Sequence, residues 1–70
     1  MINNLSLYRR KAKLTQKELA DKLGVTSGTL SKWENPEFDL KELSINCIDQ
    51  LCEMLNISFW DLIESKKGEN

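Results

Sequence analysis

The stretch Thr15–Glu34, TQKELADKLGVTSGTLSKWE, decides how this 70-residue chain folds. Thr15 is an N-cap residue, and Glu18 three positions on can return a hydrogen bond to the cap's own backbone N–H, so TQKE reads as a capping box and a helix start. Leu19, Ala20 and Leu23 then make an apolar stripe, while Lys17, Asp21 and Lys22 face outward. Gly24 takes positive φ without steric cost, which ends the helix. Val25 plugs back into the core, and Thr26 caps a second helix running to Glu34. The small Ala20 on the inner face lets the helices cross with axes ~8–10 Å apart. Another kind of helical hairpin would share a capped start; box, inward Ala, turn Gly, plugged Val and second cap in one register point to a helix-turn-helix.

Three segments then carry a resemblance. Gln16-Lys17-Glu18-Leu19-Ala20, Leu23-Gly24-Val25-Thr26 and Leu30-Ser31-Lys32-Trp33-Glu34-Asn35 are similar to the phage-repressor/Cro family of helix-turn-helix proteins, also called XRE-type, over about Leu5 to Glu64. The resemblance implies an all-α fold, a compact five-helix lambda-repressor-like domain with the helix-turn-helix at helices 2 and 3. It implies a regulator, a repressor in the first instance, bound to double-stranded DNA as a homodimer. The target would be a palindromic operator with half-sites about one helical turn (~34 Å) apart.

Composition bounds the alternatives. Seventy residues make one domain with a small core, expected over residues 1–65, with 66–70 a disordered tail. The formal net charge of −1 conceals a division by position. Up to Glu34, Arg9, Arg10, Lys11, Lys13, Lys17, Lys22 and Lys32 outnumber Glu18, Asp21 and Glu34 by four. From Asn35 on, the balance is −5. The basic half holds the helix-turn-helix, which suits approach to a phosphate backbone by one end; clustering of solvated charges by chance gives a milder version of the pattern. With no His and two Cys, a zinc site lacks ligands, and no metal or cofactor is expected. Cys47 and Cys52, five apart in one expected helix, lie on different sides and read as reduced thiols of a cytoplasmic protein. No signal peptide and no apolar run of ~20 residues suggest secretion or membrane spanning.

Taken in order, Met1–Asn4 reads as a frayed lead, with Asn3 or Asn4 capping a first helix whose inward face is Leu5, Tyr8 and Ala12. Resemblance implies an ion pair of Arg9 with Glu34, tying helix 1 to helix 3; as an exposed pair it would be worth only about 0–1 kcal/mol. Lys13 stands where the family often has a Gly in a left-handed turn, so the turn into Leu14 is expected to differ. Asn35-Pro36 replaces a common Asn-Gly, which holds Asn35 extended and ends helix 3. Asp39 and Glu42 suggest a second capping box and a short turn over 39–43. Ser44 caps a helix with an expected core stripe of Ile45, Ile48, Leu51, Cys52 and Leu55. Asn56 ends that helix in a left-handed cap, Ile57 re-enters the core, and Ser58 with Asp61 starts a last helix bearing Phe59, Leu62 and Ile63.

By resemblance, the start of helix 3 and the position one turn later reach base edges, which points to Thr26, Ser27, Gly28 and Lys32. Lys32 can donate to guanine O6 or N7, and Ser27 is a short donor or acceptor. Gly28 has no side chain to read a base: either the backbone comes very close to DNA there, or readout at that position is given up. Gln16 sits at a helix N-terminus that favours phosphate. Arg10, Lys17, Ser31 and Asn35, with Lys13, are further phosphate candidates, each also readable as a solvated polar residue. Trp60 falls outside the 59, 62, 63 stripe; with Phe38 and Leu40 it either forms a patch for a second copy or folds back on its own domain.

Two function classes follow. One is a DNA-binding transcriptional regulator acting by occupying its site. The other is a protein-interaction module of antitoxin or anti-repressor type, motivated by the acidic second half, the long loop and Trp60. Enzyme is the weakest class, since no His, phosphate loop or convergent acid cluster is present and no catalytic residue is expected.

Overall fold

The computed structural model describes residues 2–64, and the tail expected from Lys66 lies outside them. Five α-helices follow in chain order: α1 Leu5–Lys11, α2 Gln16–Leu23, α3 Ser27–Glu34, α4 Ile45–Leu55 and α5 Phe59–Ile63, with one 3₁₀ turn at Leu40–Glu42 between α3 and α4. The domain is all-α, and no strand occurs among the described residues.

Caps place the starts. Thr15 Oγ1 accepts from Glu18 N–H at 3.0 Å while Glu18 Oε1 accepts from Thr15 N–H at 2.8 Å, closing the capping box at α2. Thr26 caps α3 through Thr29 N–H at 3.1 Å, and Ser44 caps α4 through Cys47 N–H at 3.2 Å. Ser58 and Asp61 form a reciprocal box at α5.

The ends of α1, α2 and α4 repeat one device. Lys13 (φ 63°), Gly24 (φ 75°) and Asn56 (φ 58°) are left-handed. The next amide then turns back on a carbonyl five residues earlier: Leu14 to Arg9, Val25 to Ala20 and Ile57 to Cys52, at 3.2, 3.0 and 3.0 Å. Each returning residue packs its apolar side chain on the core, the usual accompaniment of this helix end. The turn into Leu14 therefore does not differ as Lys13 suggested; Lys13 adopts the strained geometry itself.

The core is Leu5, Leu19, Ala20, Leu30, Leu40, Leu51, Leu55 and Leu62, drawn from every helix and from the 3₁₀ turn. Four expectations are corrected by it. Leu40 is fully buried, because the turn capped by Asp39 folds it inward, so it offers nothing to a second copy. Ile45 is 75% exposed: it is the first residue of α4, and Cys47, Leu51 and Leu55, one turn apart, carry the inward stripe instead. Ala12 is exposed because α1 has ended by then. Asp39 accepts from Lys41 N–H at 2.9 Å, a tight side-chain turn rather than a capping box. Of the expected frayed lead, Asn3 and Asn4 are held in place, while Met1 lies outside the described residues. Asn4 N–H donates to the Leu62 carbonyl at 2.8 Å, and its Nδ2 donates to the carbonyls of Asp61 and Glu64 at 3.0 and 2.8 Å.

Three helices meet at one carboxylate. Arg9 donates from Nε to Glu34 Oε2 at 2.6 Å and from Nη2 to Oε1 at 3.3 Å, with side chains only 12% and 6% exposed. Its Nη1 donates to the Leu14 carbonyl at 2.7 Å, and Gln16 Nε2 donates to Glu34 Oε1 at 3.0 Å. At this burial the pair is not the solvated, near-neutral kind.

Two stability measurements check this account. Lys13→Gly should raise the unfolding free energy by about 0.5–1 kcal/mol, since relief of left-handed strain exceeds the added chain entropy, seen as a higher urea midpoint at unchanged slope. Arg9→Ala and Glu34→Ala should each cost ~3–5 kcal/mol, and the double variant clearly less than their sum, because each single change strands a buried charge.

Candidate nucleic-acid interface

Buried Leu30 and half-buried Trp33 define the inward side of α3. The opposite side presents Ser27, Gly28, Ser31 and Lys32, all exposed. Gly28 and Lys32 are one turn apart, roughly 5–6 Å, which makes one continuous polar strip. Lys32 has no carboxylate partner among the described residues, so its ammonium is available to an outside acceptor. Thr26 is differently placed. Its hydroxyl accepts from Thr29 N–H and donates to Thr29 Oγ1 at 3.0 Å, so the cap uses the polar atom and leaves the methyl for a base.

Nothing inside the fold requires a glycine at position 28. A Cβ built there meets only Thr26 Oγ1, at an ordinary 3.9 Å. The residue therefore carries a helix-propensity cost of roughly 1 kcal/mol relative to Ala without an internal reason for it.

The flanking groups are held to different degrees. Gln16 has one amide N–H on Glu34, which fixes the side chain at the start of α2 and leaves its second N–H to donate outward. Lys17 pairs with Asp21 at 3.1 Å in a fully solvated i,i+4 contact, worth a few tenths of a kcal/mol. Arg10 bonds the Ser6 hydroxyl from Nε and Nη2, a neutral partner that leaves its charge uncompensated. Asn35 Oδ1 accepts from Glu37 N–H at 2.8 Å, which holds the side chain, and its amide nitrogen is the group able to donate to a phosphate. Ser31 is exposed on the strip itself.

Electrostatics favour an anion on this side. Two of the three carboxylates of the first half are paired with a cation, Asp21 with Lys17 and Glu34 with Arg9, while Glu18 accepts from the Thr15 amide and keeps its charge. Arg10, Lys11, Lys13, Lys22 and Lys32 have no carboxylate partner among the described residues; Lys11 instead lies over the Tyr8 ring at 5.3 Å. The two thiols add no reactivity. Burial raises the pKa of Cys47, and burial with the nearby charges of Asp49 and Asp61 raises that of Cys52, so neither is activated as a nucleophile. No pocket opens in the described structure, no group of metal-ligating side chains occurs among the described residues, and no helix there is long and apolar enough to cross a membrane.

Of the two residues expected to cap α1, Asn4 makes no side-chain cap bond and Asn3 accepts from Leu5 N–H, but sequence reasoning missed the second role of Asn3. Its amide closes on the end of α3, and only the fold brings the two together. Of the three residues grouped for a second copy, Leu40 is core, Phe38 packs partly on the core, and Trp60 stands 64% exposed rather than folded back.

Comparison with known proteins accords with this geometry. Residues 4–68 match the family described as Cro/C1-type HTH DNA-binding domain. The chain is also 31% identical over 67 residues to "Antitoxin PezA" of Streptococcus pneumoniae serotype 4 (strain ATCC BAA-334 / TIGR4), covering 96% of this chain and 40% of that protein's length. With that match running through α1 to α5 and a capped, polar-faced second helix in the turn motif, the chain belongs to the Cro/C1-type helix-turn-helix DNA-binding family.

Proposed function

We propose that this domain is a sequence-specific transcriptional regulator, a repressor that acts by occupying a palindromic operator in the cytoplasm as a homodimer. The observation that carries it is the outer strip of α3, with a Lys32 that has no carboxylate partner among the described residues and a glycine the fold does not need, anchored at its far end by a buried ion pair. Laid in the major groove, the strip sets Ser27 and Lys32 against base edges, with the Thr26 methyl and the Gly28 backbone beside them. Gln16, Lys17, Arg10, Ser31 and Asn35 hold the phosphates, which fixes register without specifying sequence. No bond is made or broken, and no cofactor enters. A single domain over residues 1–65 suffices for this contact, and of Phe38, Leu40 and Trp60 it is Trp60 that stands exposed to meet a second copy.

A second reading has its own support. The relative is named an antitoxin, and the chain spans about two fifths of it, so a protein partner for Trp60 and the acidic second half fits as well. The two uses engage different elements and are compatible.

Titration of labelled duplexes from the DNA flanking the protein's own gene tests the first reading. Affinity should fall steeply and linearly in log[salt]. Lys32→Ala should change the preferred sequence, at about 1–3 kcal/mol for the base it reads, while Lys17→Ala should weaken all duplexes alike. Gly28→Ala should stabilise the fold by about 1 kcal/mol yet weaken operator binding, since the new methyl meets DNA and not protein. Absence of salt-dependent binding to any duplex would leave the partner-only reading.

A further inference from the structure

Asn3 lies outside the helix-turn-helix, yet its carboxamide reaches the end of α3. Nδ2 is 2.8 Å from the Trp33 carbonyl oxygen, 3.0 Å from that of Asn35 and 3.2 Å from that of Phe38. Oδ1 accepts from Leu5 N–H at 3.1 Å. The Leu5 amide can only donate and the carbonyls can only accept, so one orientation of the side chain satisfies both sides.

The end of α3 needs this help. α1, α2 and α4 close with a left-handed residue and a returning amide. α3 cannot do so, because Pro36 holds Asn35 extended (φ −60°, ψ 130°) and has no N–H to return. The Trp33 carbonyl is thereby left to a donor from elsewhere. Asn4, the next residue, is bound through both its backbone and its side chain to α5, so the arm carrying Asn3 is fixed independently of α3.

We propose that Asn3 is the C-terminal cap of the recognition helix, supplied from 30 residues away in place of the cap that Pro36 removes, and that it positions α3 on DNA. The DNA part rests on the regulator reading above; the capping part does not. Glu34, whose carboxylate holds Arg9 and Gln16, lies between the capped carbonyls of Trp33 and Asn35. Loosening that end therefore moves the phosphate donor Gln16 as well as the strip.

Asn3→Asp keeps the acceptor for Leu5 and removes the donor, and Asn3→Ala removes both. In the full chain, at a temperature where circular dichroism shows each variant folded, hydrogen exchange at the Asn35 and Phe38 amides should quicken about tenfold while α2 and α4 stay protected. Affinity for the preferred duplex should drop about tenfold at unchanged salt slope. Pro36→Gly, which lets the chain turn left-handed, should recover much of both losses. Exchange that is unchanged or faster everywhere, or wild-type affinity in a folded Asn3→Asp chain, would overturn the proposal. If the wild-type chain binds no duplex, the regulator reading fails on its own, and the exchange pattern still decides whether Asn3 caps α3.

Discussion

The Glu34 carboxylate is the constraint around which the domain is arranged. Removing a carboxylate from water costs several kcal/mol, and the cost is met here by a two-pronged guanidinium and an amide from two other helices. Such a cluster need not make the protein more stable than a well-packed apolar one. What it does is fix geometry: planar Arg9 accepts few orientations, and each of its three nitrogens donates to Glu34 or the Leu14 carbonyl. The last turn of α1, the first turn of α2 and the last turn of α3 are thus referenced to a single point.

That point lies at the far end of the exposed polar strip of α3, and the near end is set by a different means. Thr26 closes the start of α3, and Val25 just before it is drawn inward by the left-handed turn at Gly24. An eight-residue helix has little stability of its own, since helices of this length are marginal in water. Its rigidity comes from the two termini and from Leu30 between them, buried on the inner side. Groove recognition needs a helix that does not bend under contact, and a short helix fixed at both ends meets that need with few residues.

Much of this was legible in the sequence because the signals are local. Caps at Thr15, Thr26, Ser44 and Ser58, the left-handed Gly24 and Asn56, and the stop at Pro36 each involve atoms within a few residues. Errors arose where local pattern and tertiary position part. Ile45 fits a 3.6-residue stripe, yet a helix's first residue projects past the core when the inward line runs through Cys47. Leu40 sits in a polar loop that pattern reading assigns to the surface, whereas a three-residue turn folds it into the core. Asn3 was opaque for the same reason: a polar residue near a terminus has no local signature of the carbonyls that await it 30 residues on. Lys13 shows the converse, since neighbours strong enough to return Leu14 to the core override its reluctance to turn left-handed.

Net charge was the least informative quantity. A total of −1 predicts weak repulsion from nucleic acid, but a phosphate senses charge only within a Debye length, about 8 Å at physiological ionic strength. The domain measures 34 Å along its longest axis, so charges at its opposite ends do not act on one phosphate as a sum. What counts is which charges near α3 remain uncompensated. There two of the three carboxylates are paired with a cation, one at the surface and one in the buried cluster, and the third, Glu18, stays charged in the α2 cap. The interaction that organises the fold thus also removes Glu34 from the field at the strip, leaving Lys32 and its basic neighbours to set the sign seen by an approaching duplex.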